Sequence, residues 1–183
     1  MIHGRRYSRP LSPLKKNLLQ NFLPQITANQ ENIMSFFTSP SYSYYKKFSV
    51  EIGFGSGEHL IHRAKEEPNT LFIGCEPYIN GVASILHSIQ IHNIENIRLF
   101  IGDARLLLET LPKEKIETFY ILFPDPWPKK RHHKRRILNT TTLVKIARTL
   151  KRKGLLYLVT DHKEYYMYVL KILETCSSYY TKK

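Results

Sequence analysis

The stretch Glu51–Glu58 reads Glu-Ile-Gly-Phe-Gly-Ser-Gly-Glu, and it decides the fold. It overlaps the end of the β-prone run Phe48–Ile52 and is followed by a segment of helical length. Glycines at Gly53, Gly55 and Gly57 permit a tight turn and let backbone N–H groups approach a ligand closely. A strand, a glycine-rich turn and a helix in this order are typical of the first unit of a nucleotide-binding α/β fold.

Short β-prone runs and helix-length segments alternate from this turn to the end of the chain. Helical periodicity is clearest around Leu143 and Val169, where apolar residues recur at intervals of three and four. This alternation predicts βα units and an α/β fold of the Rossmann-like kind, with a doubly wound, mostly parallel sheet. The predicted strands are Phe48–Ile52, Leu71–Cys75, Ile97–Ile101, Thr118–Phe123 and Leu155–Thr160.

The first 47 residues differ in composition from the rest of the chain. They carry four prolines, and no acid occurs between Met1 and Gln30, where five Lys or Arg are found. We therefore predict a basic N-terminal extension at 1–47 and one α/β domain at 48–183.

The charge balance is unusual for a chain of this size. Lys and Arg number 28 against 15 Asp and Glu, which gives a formal net charge of +13. The cations are clustered, because eleven of them and no acid lie between Lys129 and Lys153. Clustered positive charge indicates a polyanionic partner, and nucleic acid fits it better than a generally solvated surface does.

Cysteine content and hydropathy exclude several classes of protein. Two cysteines are too few for a disulfide framework or a metal cluster, and Cys75 lies in an apolar run typical of a buried residue. No stretch approaches the roughly 20 apolar residues that span a bilayer, and the N-terminus lacks the apolar core of a secretory signal. We therefore expect a cytoplasmic protein with no membrane segment and no metal site.

Acidic residues lie at or just after the carboxyl ends of the predicted strands. In an open parallel sheet these ends meet at one edge, and ligands bind there where the strand order reverses. We therefore expect the acids to face a common crevice, although an acid at a strand end also commonly serves only as a cap or turn residue. The acids are Glu51, Glu76, Asp103, Asp125 and Asp161.

This set of acids favours one class of cofactor over another. The turn lacks the third glycine at the spacing that fits a pyrophosphate, and acids around it repel phosphate but attract an ammonium and a sulfonium. Glu76 is placed to accept both ribose hydroxyls, Asp103 the adenine amine, and Glu51 lies near the amino-acid end. The pattern favours S-adenosylmethionine, with a nicotinamide dinucleotide, and hence an oxidoreductase, as the alternative.

The segment Pro124–Arg136 combines an acid, an aromatic ring and a run of cations. Three prolines in five residues stiffen the chain around Asp125. Trp127 offers a flat face suited to stacking on a base, although a lone tryptophan more often packs. Six of the eight residues from Lys129 to Arg136 are cations suited to phosphates, and their position beside a rigid acid argues against a merely solvated run: Lys129, Lys130, Arg131, Lys134, Arg135 and Arg136.

These motifs resemble those of the bacterial tRNA (guanine-N7)-methyltransferases. The resemblance covers about residues 4–175, and the pattern P-D-P-W-x-K-x-R-H-x-K-R-R is highly specific. The matching segments are Glu51–Glu58, Gly74–Glu76, Gly102–Arg105, Phe123–Arg136 and Thr160–Asp161.

The resemblance implies methyl transfer from S-adenosylmethionine to N7 of a guanine in tRNA, usually in the variable loop. It implies that Lys129 and Asp161 contact the guanine and that Asp125 also takes part in catalysis. An RNA-binding module that has lost catalysis is an alternative from a different class. The residues implied to contact the cofactor are Glu51, Glu76, Asp103 and Asp125.

The resemblance ends before the last part of the family pattern. Members of the family continue past the last helix into two more strands, which carry a T-K-F-E motif that contacts substrate. Here Tyr179–Lys183 follows that helix too soon to be this motif. We therefore expect either a sheet without those two strands or a truncated gene product.

Overall fold

The computed structural model describes residues 10–181, and its centre is a six-stranded sheet in which all neighbouring strands are parallel. The α/β fold and the five predicted strands are confirmed. The largest difference is at the last strand, which begins at Leu150 instead of Leu155. The strands are β1 (Thr27–Ala28), β2 (Lys47–Ile52), β3 (Thr70–Cys75), β4 (Ile97–Phe100), β5 (Ile116–Leu122) and β6 (Leu150–Val159).

Helices follow the strands and cover both faces of the sheet. A π-helical turn at Leu18–Phe22 joins the first two, and short 3-10 turns lie at Pro40–Tyr42 and Lys130–Arg135. The helices are α1 (Pro13–Asn17), α2 (Leu23–Ile26), α3 (Ser35–Thr38), α4 (Glu58–Glu66), α5 (Ile79–Ile91), α6 (Ala104–Thr110), α7 (Thr140–Thr149) and α8 (Lys163–Thr175).

The strand order fixes where a ligand can bind. It runs β1-β4-β3-β2-β5-β6, so the chain builds outward from β2 in one direction and then returns to build in the other. The crevice between the carboxyl ends of β2 and β5 is therefore the switch point at which open α/β sheets bind ligands. The glycine-rich turn after β2 and the proline-rich segment after β5 both begin at this crevice.

Two apolar clusters hold the layers together. One packs α6, α7 and α8 on the sheet, with Leu143 and Val169 buried as their spacing predicts. The other packs α4 and α5 on the opposite face through Leu60 and Ile85. Cys75 is buried at 1% exposure, which confirms its predicted packing role.

The chain before β2 belongs to the packed fold, at least from residue 10 onward. Thr27–Ala28 pairs in parallel with Leu99 and Phe100 of β4, and Ile33 and Phe36 are buried in the core. The expectation that the chain up to residue 47 lies outside the core is therefore wrong for residues 10–47. The prediction gave too much weight to the prolines and cations of this stretch and too little to apolar residues at helical spacing, among them Leu18, Phe22 and Ile26. Residues 1–9 lie outside the described residues.

After α8 the chain runs through turns to Thr181, with no further strand up to that residue, and β6 is the last strand of the sheet. From residue 10 to residue 181, no helix combines the length and the apolar character needed to cross a membrane.

Candidate active site

The glycine-rich turn shapes the floor of the crevice. Gly53, Gly55 and Gly57 have φ angles of +78°, +57° and +89°, a left-handed backbone that glycine adopts without steric cost. A Cβ on Gly57 would also lie 2.4 Å from Cδ1 of Ile85. A Cβ on Gly81 of α5 would lie 2.2 Å from the Gly55 carbonyl oxygen. Close approach of α5 to the turn thus requires glycine on both sides.

Glu76 is held at the end of β3 by backbone donors. One carboxylate oxygen accepts the Gly55 N–H at 2.9 Å, and the other accepts the Tyr78 N–H at 2.9 Å. Burial raises the pKa of Glu76, and the two backbone hydrogen bonds oppose this rise. Each carboxylate oxygen has a second lone pair, so the group can still accept the two hydroxyls of a ribose.

Asp103 lies between β4 and α6 and has two roles. Its carboxylate caps α6 by accepting the Arg105 N–H at 2.9 Å, and it pairs with the Arg105 guanidinium at 3.2 Å. The same residue lines the crevice. Asp103 can therefore cap α6 and line the cavity at the same time.

Asp125 sits in a strained part of the chain after β5. Phe123 and Trp127, two residues to either side, have φ angles of 49° and 43°. Non-glycine residues in this region of backbone space are destabilised by roughly 1–3 kcal/mol each and cluster at functional sites. With Pro124 and Pro126 as its neighbours, the exposed Asp125 carboxyl is confined to the rim of the crevice.

The three acids that follow β3, β4 and β5 face one open cavity, as predicted for the shared edge. Glu76, Asp103 and Asp125 all line it, and so does Gly53. The segment Pro124–Arg136 forms another part of the cavity wall. The acids that suit a cofactor and the cation-rich segment therefore lie side by side. The residues of that wall that line the cavity include Pro124, Asp125, Trp127, Arg135 and Ile137.

Glu51 has a different environment from the other acids. It is buried at 2% exposure, and its carboxylate lies 2.7 Å from Nδ1 of His59 on α4. It is not among the residues that line the cavity, in contrast to the predicted cofactor contact. Burial raises the pKa of Glu51, while the hydrogen bond and charge of His59 lower it. Successive side chains of a strand point to opposite faces of the sheet, and that of Glu51 lies on the α4 face of β2. This position explains why Glu51 does not line the cavity.

The residues predicted to contact the guanine, Lys129 and Asp161, are exposed and do not line the cavity. Asp161 nevertheless shares the edge with Asp125. The Phe123 N–H donates to the Val159 carbonyl at 2.8 Å, which joins the ends of β5 and β6 just before the two acids. The pair therefore lies on adjacent strand ends.

Arg135 and Arg105 hold the segment Pro124–Arg136 against the cavity. The Arg135 guanidinium carbon lies 4.9 Å from the centroid of the Trp127 ring, and Arg105 donates to the Arg135 carbonyl at 3.4 Å. Arg105 therefore joins the Asp103 side of the cavity to the cationic segment. Sequence reasoning missed this role, although the place of Arg105 in the Gly102–Arg105 motif was a signal for it.

Arg136 does not fit the predicted RNA contact. Its side chain is buried at 3% exposure, and its Nε donates to the Pro126 carbonyl at 2.8 Å. A phosphate cannot reach a guanidinium in this position. The two neighbouring arginines point in different directions. Arg135 lies over the Trp127 ring, whereas Arg136 lies over the Tyr168 ring in the protein interior.

The remaining predicted RNA contacts form an exposed surface beside the cavity: Lys129, Lys130, Arg131 and Lys134. Over the range 10–181, no group of three or more His, Cys, Asp and Glu side chains is arranged to hold a metal ion.

A parallel α/β sheet whose glycine turn after β2 and acids after β3 and β4 share one cavity is typical of a Rossmann-like methyltransferase. The chain matches the family described as "Putative methyltransferase" over residues 45–183, and it belongs to that family. The 30S ribosomal A1408 methyltransferase from an uncultured bacterium has a similar fold. Its TM-score is 0.52 at 24% identity, with 75% of this chain and 64% of that chain covered.

Curated relatives include tRNA (guanine-N(7)-)-methyltransferases. That of Wolbachia pipientis is 44% identical over 133 residues, which is 73% of this chain and 60% of the relative. That of Nitrobacter hamburgensis is 40% identical over 175 residues, which is 93% of this chain and 67% of the relative. The chain thus spans about three fifths to two thirds of the length of these two relatives.

Proposed function

We propose that this protein transfers a methyl group from S-adenosylmethionine to N7 of a guanine in tRNA, in the cytoplasm. One observation carries the proposal: Glu76, Asp103 and Asp125 line a single cavity, and the cation-rich segment Pro124–Arg136 contributes to its wall. The names of the relatives supply the substrate, and the clustered positive charge suits it.

The cavity suits S-adenosylmethionine better than a dinucleotide. Glu76 is fixed by two backbone N–H groups and presents acceptors to a ribose, and Asp103 is an acceptor for an adenine amine. A pyrophosphate placed among these carboxylates would meet like charge, whereas a cationic ligand would not. When bound, the cofactor supplies an electrophilic methyl group on a positively charged sulfur.

The chemistry asks little of a general base, because guanine N7 carries a lone pair and no proton. The task of the protein is to hold the purine in line with the cofactor, a proximity effect worth several kcal/mol. Positive charge develops on the purine as it is methylated. Asp125 lies on the cavity rim, where its carboxylate stabilises that charge, and Lys129 and Asp161 orient the base from the same edge.

The exposed cations of the segment bind the tRNA backbone by displacing counterions from its phosphates. Lys129, Lys130, Arg131 and Lys134 are exposed beside the cavity, so a phosphate contact needs no rearrangement of the fold. Trp127 is half-buried and lines the cavity, which supports a contact between its ring and the base.

The test is to incubate the protein with tritiated S-adenosylmethionine and unmodified tRNA, digest the RNA and identify the labelled nucleoside. We expect label in 7-methylguanosine. Label in another nucleoside would overturn the proposed position, and cofactor binding without any transfer would support an RNA-binding module instead. Binding of NAD in preference to S-adenosylmethionine would support an oxidoreductase.

A further inference from the structure

Arg136 is a buried cation that the proposed chemistry does not use. Within residues 10–181 it is the only buried lysine or arginine, at 3% exposure. No ion pair with a carboxylate of those residues compensates its charge. A buried charge without a partner is strongly unfavourable, so its surroundings must stabilise it in another way.

Aromatic rings of α8 provide that stabilisation. The guanidinium carbon lies 4.5 Å from the centroid of the Tyr168 ring and 5.1 Å from that of Tyr165. The two rings are nearly parallel to each other, at 15° and 5.9 Å. A cation over desolvated aromatic faces is held by the ring quadrupole. Tyr165 is fully buried, and the Tyr168 hydroxyl donates to the Leu138 carbonyl, so the rings are themselves fixed.

The other contacts of Arg136 lead to the active site. Its Nε donates to the carbonyl of Pro126, which lies between Asp125 and Trp127 in the chain. Its own carbonyl accepts a hydrogen bond from the amide of Asn139, the residue that caps α7. One residue therefore connects the strained turn around Asp125 to two helices of the core.

Only arginine can make this set of contacts. Its Nε–H points along the edge of the planar group and reaches a carbonyl while the face of the same group stacks on a ring. A lysine ammonium is a compact charge with no such plane, so it can keep the charge but not both contacts at once.

We propose that Arg136 is a positioning residue, whose guanidinium clamps the Pro126 carbonyl to the Tyr165–Tyr168 pair and thereby holds Asp125 and Trp127 at the cavity. The expected loss of methyl transfer rests on the proposed function. The expected change in the position of Trp127 does not. We expect the role of Arg136 to depend on shape as well as charge, in contrast to a phosphate contact.

Trp127 is the only tryptophan of the chain, so its fluorescence reports on this turn alone. We would prepare Arg136→Lys and Arg136→Met in the full chain and measure acrylamide quenching of Trp127 and methyl transfer to tRNA well below the thermal midpoint. Both variants are expected to raise the quenching constant and to lower kcat/KM about 100-fold, the loss typical of a displaced catalytic group. The loss should lie mainly in kcat.

Variants of the aromatic pair keep the test informative if Arg136 variants fold poorly. Tyr168→Phe keeps the ring and should resemble wild type in quenching, whereas Tyr168→Leu removes it and should resemble Arg136→Met. Lys171→Met, an exposed cation on the same helix, is the matched control and should change neither readout.

Two outcomes would overturn the inference. One is an Arg136→Lys variant with wild-type quenching and wild-type kcat/KM. The other is an Arg136→Met variant that changes only the salt dependence of tRNA binding, as expected of a phosphate contact. If the wild-type protein methylates no tRNA, the proposed function fails, and quenching with S-adenosylhomocysteine bound still tests the clamp.

Discussion

The two walls of the active-site cavity are built in different ways. On the wall formed after β2, β3 and β4, backbone groups determine the geometry: three left-handed glycines form the turn, and two N–H groups fix Glu76. On the wall formed after β5, side chains determine it. Arg135 lies over Trp127, and Arg136 connects the Pro126 carbonyl to α8.

The difference teaches which half of the site tolerates change. A backbone cradle depends on main-chain N–H groups and on the missing side chains of its glycines, so it is disrupted mainly by adding a Cβ. A side-chain scaffold depends on α8, about thirty residues further along the chain, and loses its geometry when one distant contact is removed. Substitutions confined to one wall can therefore test the two walls separately.

The largest effect is expected from Asp125→Asn on the side-chain wall. Removing the charge that stabilises the developing positive purine should lower kcat by about 100- to 1000-fold. Because Asp125 is exposed, the thermal midpoint should stay close to that of wild type. Methyl-transfer kinetics with a melting curve on the same preparation make the measurement. Near-normal kcat would refute the role of Asp125.

Gly57→Ala is the matching change on the backbone wall. The new Cβ would meet Ile85 at 2.4 Å in a backbone with φ of +89°, and we expect a loss of about 3 kcal/mol in the free energy of unfolding. Urea denaturation measures it. Ser56→Ala, at an exposed position in the same turn, is the control and should be nearly neutral. Equal stability of the two variants would mean that α5 does not press on the turn.

Glu76→Gln should weaken cofactor binding by about 10- to 100-fold, because hydrogen bonds to a charged acceptor are worth about 1.5–3 kcal/mol. Burial raises the pKa of Glu76, so its carboxylate is protonated at a higher pH than that of an exposed glutamate. In wild type, affinity should therefore be constant above this raised pKa and fall as the pH drops through it. Calorimetric titration over a pH series should show this step in wild type and lose it in Glu76→Gln.

The smallest effect per residue is expected from the exposed cations. Each phosphate contact that is lost should reduce the slope of log affinity against log salt by about 0.7–0.9. Replacing Lys130 and Lys134 with alanine together should show this in filter binding. Cofactor affinity should be unchanged, because neither residue lines the cavity. An unaltered slope would remove the two lysines from the tRNA surface.

Local patterns accounted for most of the fold and for the backbone wall. The glycine spacing and the acids at strand ends are short-range signals, and Gly53, Glu76 and Asp103 lie at the cavity as these signals predict. The chain before β2 was misjudged because its prolines and cations outweighed a local signal, the apolar residues Leu18, Phe22 and Ile26 at intervals of four, of which Leu18 and Ile26 are buried.

The residues whose positions the sequence pattern did not predict are placed by contacts with residues far away in the chain or on another element. Arg136 is one of six cations in a run of eight residues, and composition alone treats all six as equivalent. Its burial depends on Tyr165 and Tyr168, which no local rule connects to it. The position of Glu51 was also beyond the local pattern. Side chains of β2 point alternately to its two faces, and that of Glu51 faces His59 and not the cavity.

The central claim is that the acids of successive strands bind one nucleoside cofactor beside the cationic segment. A crystal structure with S-adenosylhomocysteine tests it most directly. We expect the ribose hydroxyls within hydrogen-bond distance of Glu76, the adenine beside Asp103 and the sulfur on the side of Asp125. A ligand bound away from this cavity, or bound there without contact to Glu76, would contradict the account.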